Sequence, residues 1–88
     1  MPLVTSAARA ALLEAGRIKG YRGRALTGLA QLSFQRGQFA TAAERASRAV
    51  RAGGGTRARL VLGISQLKLG RYGAAKRTYE TVLRYSPH

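Results

Sequence analysis

The sequence predicts an all-α protein built from helical hairpins. Three observations support this prediction: an internal repeat, helical spacing of small and apolar residues, and glycines between the helical segments. The stretch 29–51 recurs, shifted by 33 residues, as 62–84, so that Gly37 aligns with Gly70 and Ala42 with Ala75. A period in the low thirties is typical of stacked two-helix units, none of which buries its apolar face alone. We therefore expect a short stack of about five helices.

The expected helices are of two kinds. Three alanine-rich segments have small and apolar residues on one helical stripe, which lets a second helix approach closely. Each of the two segments between them has an apolar stripe of its own, and in the later one the apolar residues nearly encircle the helix. That distribution predicts a helix sandwiched between neighbours. The alanine-rich segments are 7–15, 42–49 and 74–82, and the segments between them are 23–36 and 56–69.

Glycine and proline mark the expected helix ends. Gly37 and Gly70 follow the first helix of each unit, where the left-handed backbone that ends a helix suits glycine. The run 53–55 is Gly-Gly-Gly and ends the first unit. Pro87 ends the second, because proline disfavours helix in the residue before it. We expect Thr41 to cap the helix after Gly37. We also expect Gly16, Gly20 and Gly23 to break up the chain after the first alanine-rich helix, with an irregular link before the next helix.

The second unit reads Arg59-x-x-Leu62-Gly63-x-x-Gln66, then Gly70-x-Tyr72, Ala75-x-x-x-Tyr79-x-x-Val82 and Pro87. This resembles the tetratricopeptide repeat, whose pattern is W-x2-L-G-x2-Y, then A-x3-F and P. Two first-helix aromatics of the family pattern are replaced, by Arg59 and Gln66. The first unit matches at Leu29, Gly37, Phe39, Ala42 and Ala49, and departs at Ala30, Ala46 and Gly54. One period earlier, Ala8 and Ala15 fall on the small-residue positions of another second helix.

The resemblance implies a right-handed superhelical stack with three parts. Residues 1–22 would be an N-terminal helix, a degenerate half-repeat, plus the glycine-containing link. Residues 23–55 would be the first repeat and 56–88 the second. The resemblance also implies a non-catalytic module that binds another protein, with the first helices lining a concave groove and the second helices forming the outer face. The implied groove positions are Arg24, Thr27, Gln31, Phe34, Arg57, Leu60, Ile64 and Lys68. The basic residues of the outer face would be Arg9, Arg17, Arg45, Arg48, Arg51, Lys76, Arg77 and Arg84.

The groove positions suggest a partner of particular chemistry. They do not resemble the carboxylate-clamp subclass, which needs Asn and Lys at several of these places. Leu60 and Ile64 instead predict an apolar strip, with Arg24, Arg57 and Lys68 around it. A helix or extended peptide with apolar anchors and acidic flanks would complement such a strip. The alternative is that Leu60 and Ile64 simply pack under the N-terminal helix.

The charge balance also favours acidic partners. Lys and Arg number 16 against 3 Glu and no Asp, which gives a net charge of +13. Such a charge attracts an acidic protein surface, nucleic acid or an anionic membrane. The alternatives are a solvated face that keeps an alanine-rich chain soluble and, for the preference for Arg over Lys, a GC-rich genome. We expect an acidic protein or peptide partner. A nucleic-acid-binding protein is the second hypothesis, and an architectural slice of a longer solenoid or assembly is the third.

Catalytic and metal-binding patterns are weak. The single histidine is His88, and Glu14, Glu44 and Glu80 are expected on three different helices, so no acid–base pair is predicted. No cysteine is present for a thiol or zinc site. The run 53–56, Gly-Gly-Gly-Thr, lacks the lysine and the preceding strand of a phosphate loop. We expect no enzyme activity, cofactor or metal. Residues 20–24 are similar in composition to RNA-binding Arg/Gly segments, but we interpret them as a flexible joint between helices.

Two further expectations concern the cellular location of the protein and its association with other chains. No apolar run approaches the roughly 18 residues of a membrane span, and residues 1–6 lack the order of a secretory signal, so we expect a cytoplasmic protein. Repeat arrays of this kind usually have about three units and a polar cap. Two and a half uncapped units favour association with a partner or with another copy of the chain.

Overall fold

The computed structural model describes residues 21–85, which form four α-helices and, within that range, no strand. Each helix packs on the next one in the chain, and α1 also packs on α3. The all-α, helical-hairpin prediction is therefore confirmed. The fifth predicted helix, in 7–15, lies outside the described residues. The helices are α1 (Tyr21–Gln35), α2 (Phe39–Arg51), α3 (Gly55–Lys68) and α4 (Tyr72–Tyr85).

The turn inside each hairpin has the same geometry, as the repeat predicts. Gly37 and Gly70 both have φ of 77°, the left-handed conformation expected of a glycine that ends a helix. In the first turn the amide of Gln38 donates to the carbonyl of Ser33 at 2.9 Å. In the second turn the amide of Arg71 donates to the carbonyl of Gln66 at 2.8 Å. These bonds satisfy carbonyls at the helix end and reverse the chain within three residues.

Two local predictions are wrong. Helix α2 begins at Phe39, and Thr41 lies inside its first turn, so Thr41 is not the cap; the capping position is Gln38, which makes no side-chain bond there. The turn holds only residues 36–38, so α2 begins at Phe39. The rings of Phe34 and Phe39 pack edge to face across this turn, with their centroids 5.1 Å apart. Residues 20–24 were predicted to form a flexible joint, yet residues 21–24 lie inside α1 and Gly23 is buried.

The core is built from small side chains. Ala30, Ala46 and Val61 form a buried cluster that joins α1, α2 and α3, with Leu62 packed against it. Alanine has little surface to bury, so this core depends on close approach of the helix backbones more than on large side chains. The remaining buried apolar residues are Ala42, Ala43, Ala49, Ala58, Ala75 and Val82.

A polar contact between the two helices recurs in both repeats with different chemistry. In the first repeat the Nη1 of Arg45 donates to the Oγ of Ser33 at 2.8 Å. In the second, the hydroxyl of Thr78 donates to the Oε1 of Gln66 at 2.7 Å. Position 78 follows position 45 by one 33-residue period, as 66 follows 33. The first repeat thus pairs a long donor, arginine, with a short acceptor, serine. The second pairs a short donor, threonine, with a longer acceptor, glutamine.

Helix α3 is sandwiched only in part. It packs on α1, α2 and α4, as its apolar residues predict. However, Leu60, Ile64 and Leu67 remain 44%, 39% and 42% exposed within the described part of the chain. They recur at intervals of four and three residues, so they share one side of the helix. This open side of α3 forms part of the candidate site.

Candidate functional site

Three adjoining hollows form a continuous trough along α1 and α3, and Gln31 lines all of them. The first hollow, of about 560 Å³, lies at the turn between the repeats, where it is lined by Arg24, Thr27, Gly28, Gln31, Gly53, Gly54 and Arg57. The middle hollow, of about 360 Å³, is lined by Gln31, Arg57, Leu60, Val61, Ile64 and Tyr79. The third, of about 420 Å³, is lined by Gln31, Phe34, Gln35, Val61 and Ile64.

The structure brings seven of the eight predicted groove residues to this trough. Lys68 is the exception: it is exposed at the end of α3 and lines none of the three hollows. On α3 the third hollow is lined by Val61 and Ile64, so the trough ends about one helical turn before Lys68. The prediction for Lys68 also departed from the repeat, because the counterpart of Phe34 is Leu67.

Thr27 belongs to the floor of the trough and offers little surface to a ligand. It is only 3% exposed, and its hydroxyl donates to the backbone carbonyl of Gly23 at 2.7 Å. This bond within α1 satisfies the buried hydroxyl. Thr27 therefore lies at the trough, but its hydroxyl is bonded within its own helix.

The trough has a cationic end and an apolar end. Arg24 and Arg57 are exposed and border the hollow at the turn between the repeats, where Gly53 and Gly54 contribute backbone to the wall. Farther along, Phe34 and Ile64 border the third hollow. The arrangement offers guanidinium donors at one end and apolar contact surface at the other, which suits a segment with acidic and apolar side chains.

Sequence reasoning missed Tyr79 as a residue of the trough. Tyr79 lies on α4, a second helix, and such helices were expected to face outward. It reaches the trough because Gly63 has no side chain: a Cβ placed on Gly63 would lie 2.9 Å from the Cζ of Tyr79. Burial raises the pKa of the Tyr79 phenol above its ordinary value, so the hydroxyl is a neutral donor at physiological pH. The glycine at position 63 was the available signal, but the sequence alone does not show which side chain lies over it.

The predicted basic outer face is only partly free. Arg45 is turned toward α1 by its bond to Ser33. Arg48 pairs with Glu44 at 3.1 Å on the exposed side of α2, and Arg51 donates to the hydroxyl of Ser47 at 3.0 Å. On α4, Lys76, Arg77 and Arg84 are exposed. Arg9 and Arg17 lie outside the described residues.

The range 21–85 contains no group of three or more His, Cys, Asp or Glu side chains placed to hold a metal ion. None of the helices in it has the length and apolar character needed to cross a bilayer.

Comparison with known families agrees with the geometry. A family model described as tetratricopeptide repeat matches residues 23–48 and 56–81, more than half of the chain. The chain belongs to the tetratricopeptide repeat family. Comparisons with curated proteins and with solved structures gave no match. The family is generally non-catalytic, and its repeats indicate a protein–protein interaction module.

Proposed function

We propose that this module binds a peptide segment of a partner protein in the trough between α1 and α3. The observation that supports this most directly is the exposed side of α3, where Leu60 and Ile64 border the same hollows as Arg57. What supports a binding role is their arrangement: neighbouring apolar side chains on one helix face with an arginine beside them are typical of an interaction site. The neighbouring guanidiniums then select acidic residues beside the apolar anchors of the partner.

The apolar and the charged residues contribute differently to binding. Full burial of a leucine or isoleucine side chain contributes roughly 1.5–3 kcal/mol, so covering the exposed part of Leu60 or Ile64 contributes a fraction of that. Exposed arginines add a little affinity but mainly speed association and select against basic partners. Affinity should therefore depend on Leu60 and Ile64, and salt dependence on Arg24 and Arg57.

Leu60→Glu and Ile64→Glu test this proposal. A carboxylate in the apolar part of the trough should lower partner affinity at least tenfold, because it replaces apolar contact and repels acidic flanks. The matched control is Leu83→Glu, on α4 outside the trough, where the leucine is 63% exposed. Partners captured by the wild-type protein are identified by mass spectrometry, and their affinities for all variants are measured by calorimetry. Equal loss in Leu83→Glu, or no loss in Leu60→Glu, would contradict the proposal.

A nucleic-acid-binding role is the second candidate, and the net charge of +13 favours it. Arg22, Arg48 and Arg51 border a further hollow, of about 450 Å³, outside the trough. Binding dominated by phosphate contacts falls by orders of magnitude over a few-fold rise in salt and depends little on base sequence. Titration with a single-stranded oligonucleotide at two salt concentrations separates the candidates, because trough substitutions should leave phosphate-dominated binding intact.

A further inference from the structure

The two repeats differ at the place where the second helix crosses the first. In the first repeat Ala30 faces this crossing from α1 and Ala46 from α2, and both are completely buried. One period later the same positions hold Gly63 and Tyr79. The far end of the tyrosine ring therefore lies directly over the backbone of α3, where the first repeat has only methyl groups.

The Tyr79 hydroxyl is available to a ligand. It makes no hydrogen bond to any other residue in 21–85. Within the same range no buried side-chain oxygen or nitrogen lacks a partner, so the unpartnered hydroxyl is not enclosed. Because the ring borders the middle hollow of the trough, that hollow is where the hydroxyl meets a ligand.

Three donors border this hollow on otherwise apolar walls. They are the Tyr79 hydroxyl, the Arg57 guanidinium and the Gln31 amide, while Leu60 and Ile64 provide apolar surface. No carboxylate among the described residues borders the hollow to neutralise Arg57. A cation with a neutral donor beside it suits a carboxylate, whose two oxygens accept from both groups.

We propose that Tyr79 determines the specificity of the trough: its hydroxyl and the Arg57 guanidinium together hold the carboxylate of an acidic side chain in the bound peptide. Leu60 and Ile64 then contact the apolar residues next to that acidic residue. The inference rests on the proposed function, and it assigns a ligand contact to a helix whose residues would otherwise serve the outer face. The first repeat has no equivalent contact, because Ala46 carries no donor.

The experiment compares two matched peptides by NMR titration of the whole chain. The probes are acetyl-Ser-Leu-Ser-Glu-Leu-Ser-amide and the same peptide with Gln in place of Glu. The wild-type protein should prefer the Glu peptide about tenfold, the effect of a hydrogen bond to a charged group. Tyr79→Phe removes only the hydroxyl and should lower this preference to about threefold, and Arg57→Gln should abolish it. Tyr85→Phe is the control, since that exposed ring of α4 lies under the guanidinium of Arg59, 5.5 Å from its Cζ atom.

Each outcome bears on a different statement. Full retention of the Glu preference in Tyr79→Phe, with an unchanged melting temperature, would overturn the role of Tyr79 and leave the proposed function standing. Equal binding of both peptides at the trough would overturn carboxylate selection but not peptide binding. If neither peptide shifts the amides of α1 and α3 at millimolar concentration, both the inference and the proposed function are wrong.

Discussion

At the residue scale, Gly63 and Tyr79 pack as a pair in place of Ala30 and Ala46. The first repeat closes the helix crossing with two methyl groups, and the second with a ring against a bare backbone. The tyrosine side chain is much larger than the two methyl groups it replaces, so its ring extends past the crossing to the border of the trough. Packed interiors resist added volume, so a side chain placed on Gly63 would force the ring to move.

This pairing predicts that the effect of Gly63→Ala on the free energy of unfolding depends on the side chain at position 79. Alanine gains about 1 kcal/mol of helix propensity over glycine. In the wild type that gain is offset or exceeded, because the new Cβ lies 2.9 Å from the Tyr79 ring and the ring must move. In a Tyr79→Ala background the same substitution should stabilise by about 0.5–1 kcal/mol. Urea unfolding of the four proteins measures the coupling, and an equal effect in both backgrounds would refute the pairing.

The same tyrosine predicts a loss of stability at alkaline pH. Burial raises the pKa of Tyr79 above the ordinary 10.0, so the folded protein holds this proton more tightly than the unfolded chain. The resulting stabilisation is fully present below pH 10 and is lost as pH rises through the raised pKa. Tyr79→Phe should therefore lose less stability than the wild type across this range. Melting temperatures measured at neutral pH and above pH 10 test it, and parallel curves would argue against it.

Individual residues also show where sequence reasoning about the site reaches its limit. The 33-residue register places Arg24 and Arg57 at equivalent positions, and both border the trough. It also aligns Leu67 with Phe34, so the prediction for Lys68 departed from the repeat itself. Tyr79 could not be assigned from register, because its access to the trough depends on the absence of a side chain on another helix.

At the scale of elements, α1 carries two glycines with opposite roles. Gly23 packs against the turn between the repeats: a Cβ there would lie 2.5 Å from the amide nitrogen of Gly54 and 2.8 Å from the carbonyl oxygen of Ala52. Gly28, one and a half turns later, has no atom within 4 Å of such a Cβ. The first glycine permits close contact between α1 and the turn, and the second only weakens the helix.

Gly23→Ala and Gly28→Ala should therefore shift stability in opposite directions. Gly23→Ala should destabilise by about 1–3 kcal/mol, because the opposing atoms are backbone and cannot turn aside. Gly28→Ala should stabilise by about 0.5–1 kcal/mol through helix propensity alone. Both are measured by urea unfolding, and each serves as the control for the other. Stabilisation by Gly23→Ala would mean that α1 does not approach the turn this closely.

The helical elements themselves were predictable because their signals are local. Apolar spacing and glycine placement act over a few residues, and the structure has four of the five predicted helices in the described range. Errors arose where a helix boundary depends on a contact. Gly23 looks like a helix breaker in sequence, yet it is retained within α1 because the neighbouring turn packs against it.

At the scale of the whole molecule, charge and a small core act together. The net charge is +13, while the core consists largely of alanine. Like charges repel most strongly in the compact state, and alanine burial offers limited compensation. Within residues 21–85 ion pairing offsets little of this repulsion, since the pair of Glu44 with Arg48 is exposed and contributes about 0–1 kcal/mol.

Added salt should therefore raise the melting temperature. Screening shortens the Debye length from about 10 Å at 0.1 M to about 3 Å at 1 M, which reduces repulsion between the surface arginines. The double variant Lys76→Glu/Arg77→Glu, which lowers the net charge on the exposed side of α4, should show a smaller rise. Thermal unfolding in a potassium chloride series measures both. A melting temperature that falls with salt would show that net repulsion does not limit stability.

The sequence by itself determined the order of helices, the hairpin turns and the family, because period, apolar spacing and glycine position are properties of neighbouring residues. It also determined that small residues would lie on the helix faces that approach one another closely. Only the tertiary structure decided which side of α3 stays open, that Thr27 is occupied by its own helix, and that Tyr79 borders the trough. These depend on how closely helices distant in the chain approach one another, and that distance is set by packing rather than by any local pattern.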